Sequence, residues 1–231
     1  MASRRGSRTP ERTVTAAQTS SYAPGRTERW YGWADAIGYV AVLNVLILVF
    51  TLAGGVVLGF APAVAAAVTC SRGRIRGEAQ PLLRTFASAW REQLRRANLL
   101  EAPGWLLLAI LGLNLTAFWG EPGSTALVVA LVAAAALTVT HQLLVITMDA
   151  HYTLRARDCL RLAFAFALRF PGVPLLLAAT TTLVAAVTAW LPGLLPTVSI
   201  GVWLYLCTAL CLSFFAANDR QVEADSSSTT V

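Results

Sequence analysis

No lysine occurs anywhere in this 231-residue chain, and no charged residue of any kind occurs between positions 36 and 70. All eighteen basic residues are arginine, and alanine is abundant. That pairing reads as the signature of a GC-rich genome rather than of a selective use of guanidinium groups. Charged residues make up only 13% of the chain while hydrophobic ones make up 56%, and the mean hydropathy of +0.61 exceeds what a soluble domain with one core requires. These scarcities exclude an ordinary soluble enzyme and point to a membrane protein.

Metal-binding and nucleophilic groups are equally sparse. Cys70, Cys159, Cys207 and Cys211 show no short paired spacing of the zinc or thioredoxin type, and no disulfide framework is implied. Cys207 and Cys211 stand four apart on one helical face. Without further thiols or histidines nearby they read as small buried hydrophobes rather than ligands of a soft metal. The two histidines, His141 and His151, form no H-E-x-x-H pattern. No nucleophile stands beside a base, and no glycine loop is placed to cradle phosphate. The expectation is a protein that is not an enzyme and takes no cofactor.

What is present is a sequence of long apolar runs. Residues 1–33 form a basic, Ser/Thr-rich tail, expected to be disordered and cytoplasmic, and Trp30, Tyr31 and Trp33 mark where the membrane begins. Arg4–Arg5 has the form of a twin-arginine signal. No short apolar core with a small-residue cleavage site follows, so no cleaved leader is expected. Single membrane crossings are predicted at 102–119, 124–148, 172–191 and 196–216, each long enough at about 20 residues per crossing. Only helices satisfy their own backbone groups in hydrocarbon, so all four should be helical. A short tail, 217–231, is expected to be disordered.

Arginines supply an orientation. Six lie in the N-terminal tail, seven in 71–100, four in 149–171 and one at Arg220, and the turns "GEPGS" and "LPGLLP" contain none. By the positive-inside rule the basic segments and the C-terminus are cytoplasmic. The run from 36 to 71 is then decisive: one crossing would leave a tail with six arginines outside, and two would return it. Thirty-five residues give two legs of only ~26 Å each at 1.5 Å per residue. Gly54, Gly55, Gly59 and Pro62 concentrate turn chemistry at the middle of the run, which favours a hairpin with legs at about 36–53 and 61–71 and with Pro62 in the first turn of the second leg. The competing reading is one long helix with a Gly55-x-x-x-Gly59 packing face. The fold expected is an all-α polytopic transmembrane bundle of six crossings or near-crossings, or five in the alternative, within a single membrane domain at 34–216.

Two connectors, 80–98 and 152–170, read as amphipathic. In the first, Leu82, Leu83, Phe86, Trp90, Leu94 and Ala97 share one face, opposite Arg84, Arg91 and Arg95, with Arg96 beside them. Such a helix lies in the cytoplasmic interface against anionic headgroups, with Trp90 as anchor, or packs on the protein's own surface. Either use absorbs the net charge of +6, and no nucleic acid partner is expected. Within the predicted spans no Asp, Glu or Arg occurs, which argues against ion-coupled transport. The polar residues that remain inside include Asn44, Asn114, His141 and Gln142, candidates for interhelical contacts or for lining a path.

The stretch "LNVLILVFTLAGGVVLGFAPAVAAAVTCSRGRIRGEAQPLLRTFASAWREQLRRANLL" resembles the first half of the YesL-type integral membrane proteins, and "LRARDCLRLAFAFALRFPGVPLLL" is similar to their later basic connector and span. The resemblance covers roughly 35–190, with Ala61 before Pro62 where that family tends to place glycine. It implies a bacterial cytoplasmic-membrane protein of unknown biochemical activity, with no catalytic residues to carry over. Such proteins are commonly encoded beside carbohydrate-uptake transporters, so the implied role is accessory to solute uptake, with membrane subunits of an uptake system as partners. The alternative is a channel or facilitator for a small uncharged solute.

Overall fold

A computed structural model describes residues 26–78, 80–152 and 155–228. The chain divides at Asp35 into two units. The described part of the first, residues 26–35, is helical, with Trp30, Tyr31 and Trp33 exposed; the tail expected over 1–25 lies outside the described residues. The second unit is a helical bundle. Its elements are the continuation of α1 (Arg26–Ala53), α2 (Val57–Ile75), α3 (Leu82–Phe118), α4 (Thr125–His151), α5 (Ala156–Arg169), α6 (Gly172–Trp190), a π-helical turn (Leu195–Ser199) and α7 (Ile200–Ser228). No strand occurs among the described residues.

Five helical segments have the length and apolarity to cross a membrane: Trp30–Ala53, Leu82–Phe118, Thr125–His151, Gly172–Trp190 and Leu195–Gln221. The protein is therefore a multi-pass membrane protein. The sixth apolar element, α2, carries Arg72 and Arg74 in its last turn and falls outside that set. It is instead the inner leg of a hairpin. The Thr51 carbonyl lies against Gly59 near the tip, and the Arg74 guanidinium sits 4.2 Å from the Tyr39 ring at the far end, so α1 and α2 run antiparallel.

The tip shows why glycine is needed there. Gly55 adopts φ 73°, and its N–H bonds to Leu52 O at 3.0 Å while the Val56 N–H bonds to Thr51 O at 2.9 Å. This is the glycine-terminated helix end in which two orphan carbonyls are closed by the residues that leave the helix. Val56 then takes φ 63° and ψ −70°, with Val57 N–H bonded to Gly55 O at 2.8 Å. A β-branched residue in that γ-turn is strained by about 1–3 kcal/mol. A Cβ on Gly54 would collide with the Gly59 backbone, so these two glycines, rather than Gly55 and Gly59, form the close-contact pair.

Pro62 is not in the first turn of the second leg. Helix α2 starts at Val57, earlier than the expected 61, which puts Pro62 within the helix, where it leaves the Leu58 carbonyl without its i+4 donor. The Asn98 side-chain amide of α3 donates to that carbonyl at 2.9 Å. Trp90, on the same face of α3, directs its indole N–H to Gly59 O at 3.4 Å.

A second difference concerns α3. The amphipathic connector 80–98 and the crossing 102–119 are one helix of 37 residues running through Pro103. Only the carbonyl four residues before a helical proline loses its donor, and helices tolerate that loss where local adjustment or neighbours compensate. The expected face of the first half is present, but Phe86, Ala89 and Ala97 are buried against the hairpin, with Phe86 and Trp90 both against Phe50 at ring-centroid distances of 5.1 and 5.3 Å. Leu83 is exposed. Helix α5 presents a narrow buried stripe, Cys159, Ala163 and Phe166, at i, i+4 and i+7. Helix α7 continues to Ser228, beyond the expected end at 216.

Candidate functional site

The most distinctive polar arrangement in the bundle lies between α3 and α4. Glu101 is 3% exposed. The Gln142 amide nitrogen donates to the Glu101 backbone carbonyl at 3.0 Å and to its carboxylate Oε2 at 2.7 Å. The other carboxylate oxygen, Oε1, is buried without a hydrogen-bond partner. Gly104, one turn further along α3, makes room for this contact, because a Cβ there would overlap the Gln142 side chain. A carboxyl group taken out of water is costly unless paired, and in a membrane-spanning helix it marks a functional position by default. Sequence reasoning singled out Gln142 but missed Glu101, which it left just outside the crossing at 102–119. The available signal was the Glu101/Gly104 spacing, an i, i+3 pair on one helix face.

Asn44 does a different job. Its amide stands between the Pro196 carbonyl, to which it donates at 2.8 Å, and the Gly201 N–H, from which it accepts at 3.0 Å, with a further donation to Leu195 O at 3.3 Å. Asn44 is fully buried and fastens α1 across the π-helical turn that begins the last span. Gly201 permits this because a Cβ would collide with the Val40 carbonyl. His141 is half-buried and edge-on to Phe164, while Asn114 is exposed and, among the described residues, bonds to Ile110 O of its own helix at 2.8 Å. The four sequence-selected polar residues are thus not brought together on one path.

Charge gathers at one end of the bundle. The Arg96 guanidinium Nε donates to both Asp149 oxygens, at 2.8 and 3.1 Å, joining α3 to α4. Arg76 lies 3.3 Å from His151 Nδ1, and His151 Nε2 lies 3.7 Å from Asp219. An arginine can only donate, so this chain fixes the tautomer with its proton on Nε2, facing the carboxylate. Tyr152 donates to Asp219 at 3.0 Å, and burial with the nearby carboxylate pushes its phenol up to about 12. Arg84, Arg91 and Arg95 are exposed, and Trp90 is turned into the bundle rather than outward. Burial pushes the Cys159 thiol up to about 11. Among the described residues no group of three or more His, Cys, Asp or Glu side chains could hold a metal.

Comparisons with known proteins sharpen the assignment. A family model described as a protein of unknown function, DUF624, matches residues 40–115, the hairpin and most of α3. The uncharacterized protein YesL of Bacillus subtilis (strain 168) is 30% identical over 145 residues, which cover 61% of this chain and 67% of YesL. The chain belongs to the YesL-like DUF624 family. A second relative in that organism, the uncharacterized protein YesV, is 28% identical over 173 residues, covering 74% of this chain and 83% of YesV. No solved structure matches this DUF624 protein. The portion matched to DUF624 includes the Gly54–Gly59 tip, Pro62 and Asn98, together with Glu101.

Proposed function

We propose that this DUF624 protein is a non-enzymatic accessory of a solute-uptake system in the bacterial cytoplasmic membrane, with carbohydrate as the solute class that the family resemblance points to. Its arginine-bearing end, with both chain termini, lies in the cytoplasm beside anionic headgroups. The observation that carries this reading is how the interior polar groups are spent. Asn44 fastens α1 to the last span, Asn98 completes α2, and Gln142 holds Glu101. They fix helices to one another instead of lining a conduit. Much of α3, α4 and α6 meanwhile offers apolar flanks to lipid or to another membrane protein, and only Val173 and Leu177 are buried in α6.

A channel or facilitator for an uncharged solute draws less support, because Asn114 faces outward and His141 packs on Phe164. The test is co-purification of the tagged chain, in mild detergent, with the membrane subunits of solute transporters from its own host. Stable recovery of those subunits is expected, reduced when Leu175 and Leu183 on exposed α6 are changed to arginine. Solute flux in proteoliposomes of the purified chain alone, abolished by His141→Ala, would overturn the accessory role in favour of the facilitator.

A further inference from the structure

Glu101, with one carboxylate oxygen unpartnered, also lines a feature that the accessory role does not use. Among α2, α3, α4 and α7 lies a cavity of about 180 Å³ walled by Phe60, Trp105, Val139, Ile146 and Trp203, with Glu101 and Gln142 as its polar groups. Phe60 and Trp105 meet edge to face at 5.3 Å and 78°. The Trp203 indole N–H is already donated to Thr181 at 2.9 Å. Among the described residues no basic side chain pairs with Glu101. The site combines a buried acceptor without a donor, aromatic walls, and one amide whose donor is already committed to the carboxylate.

We propose that this cavity binds a small organic ammonium ion, a protonated alkylamine, with its N–H donated to Glu101 Oε1 and its carbons against Phe60, Trp105 and Trp203. Each wall selects for that chemistry. Aromatic rings present their negative faces to a cation and are indifferent or hostile to an anion. A buried carboxyl group either keeps its proton or takes a positive partner, and a charge-assisted N–H···O bond is the strongest it can form here. A hydrated divalent metal is excluded, because one carboxylate and a ring of carbon cannot supply its six or more oxygen ligands. A neutral sugar is disfavoured as well, because most of its hydroxyls would be stripped of water and left against apolar walls. At ~30 Å³ per water the cavity equals roughly six waters, room for an amine of a few carbons. The Glu101–Gln142 contact then orients the carboxylate, and Gly104 keeps that contact possible.

The experiment uses the full chain in detergent micelles, reading the tryptophan emission, to which Trp105 and Trp203 in the cavity wall contribute among seven tryptophans, and the thermal unfolding midpoint. Butylammonium chloride is titrated against 1-butanol and sodium chloride. A saturable emission change and a raised midpoint are expected with butylammonium alone. Affinity should fall at least about tenfold in Glu101→Gln, since a hydrogen bond to a charged group is lost. Val139→Phe, which fills the cavity and leaves the carboxylate in place, should abolish the response and decides the matter if Glu101→Gln does not fold. Equal saturation by 1-butanol, unchanged affinity in Glu101→Gln, or no saturable response in the unaltered protein would each overturn the site. None of these readouts depends on an uptake partner, so failure here leaves the accessory role standing.

Discussion

Two apolar octapeptides of this chain sit at opposite extremes of burial. In α2, residues 61–68 read APAVAAAV and every one is buried; in α3, residues 106–113 read LLLAILGL and none is. The more hydrophobic of the two is the one on the outside. In water this order would be perverse. In a bilayer lipid tails solvate leucine as well as protein does, so helices are drawn together by close packing, and close packing needs small side chains. In this pair of segments alanine marks where the protein meets itself and leucine where it meets lipid or a partner; α4 runs the other way, with Leu143, Leu144, Val145, Ile146 and Met148 buried and the alanines at 133–136 not. Beside this buried segment Asn98 completes the helix at Pro62, and elsewhere in the bundle the buried Asn44 of α1 locks the π-helical turn.

The largest expected effect strikes the tightest point of the buried region. Gly59→Val forces a side chain into the Thr51 carbonyl and the Gly54 backbone, neither of which can yield. It should destabilise by more than about 4 kcal/mol, the range of backbone collisions and severe overpacking, and be read as loss of folded protein in detergent. Next, Ala66→Leu should cost about 1–3 kcal/mol through overpacking, whereas Leu113→Ala should stay within ~0.5 kcal/mol. Equal effects on unfolding at these two positions would erase the contrast between inner and outer segments.

A finer test separates the polar lock from packing. Asn98→Ala leaves the Leu58 carbonyl without a donor and should cost about 1–2 kcal/mol. In the Pro62→Ala background the backbone N–H is restored, so the same change should cost much less. A double-mutant cycle with no coupling would refute the account of Pro62. At neutral pH the last effect is nil, and it emerges only in alkali. Cys159 and Tyr152 have folded values of about 11 and about 12, above their ordinary 9.0 and 10.0. A raised folded value means that their contribution is complete below the ordinary value and lost as pH rises through the folded one. The unfolding midpoint should hold to about pH 9 and decline between 9 and 12, with a shallower decline in Cys159→Ala.

Much of this architecture is legible in the amino-acid sequence. Spans need only hydropathy and length, and the reversal near Gly54–Gly55 is favoured over one long helix by the cluster of Gly54, Gly55, Gly59 and Pro62 together with the arginines on either side. The elements that escape are those whose local signals are overruled, by a distant residue or by the continuity of a longer helix. Pro62 and Pro103 look like helix boundaries, yet the first is completed by Asn98 from another helix and the second simply lies within a longer one. That continuity carried Glu101 out of a presumed interface and into contact with Gln142, forty-one positions away. Trp90 fits a membrane anchor by its position on the helical wheel, and only the Phe50 and Gly59 contacts show that it faces inward.

The reversal at residues 54–56 is the claim on which the buried region depends, and a distance measurement addresses it directly. Ile37 and Ile75, both exposed, can be changed to cysteine in a background whose four native cysteines are replaced by alanine, then spin-labelled and measured by double electron–electron resonance. The hairpin brings the two positions to the same end of adjacent helices, and with helix diameters of 10–12 Å the labels should lie within about 20 Å. A single uninterrupted helix would separate them by ~57 Å at 1.5 Å per residue, and a distance near that value would contradict the account.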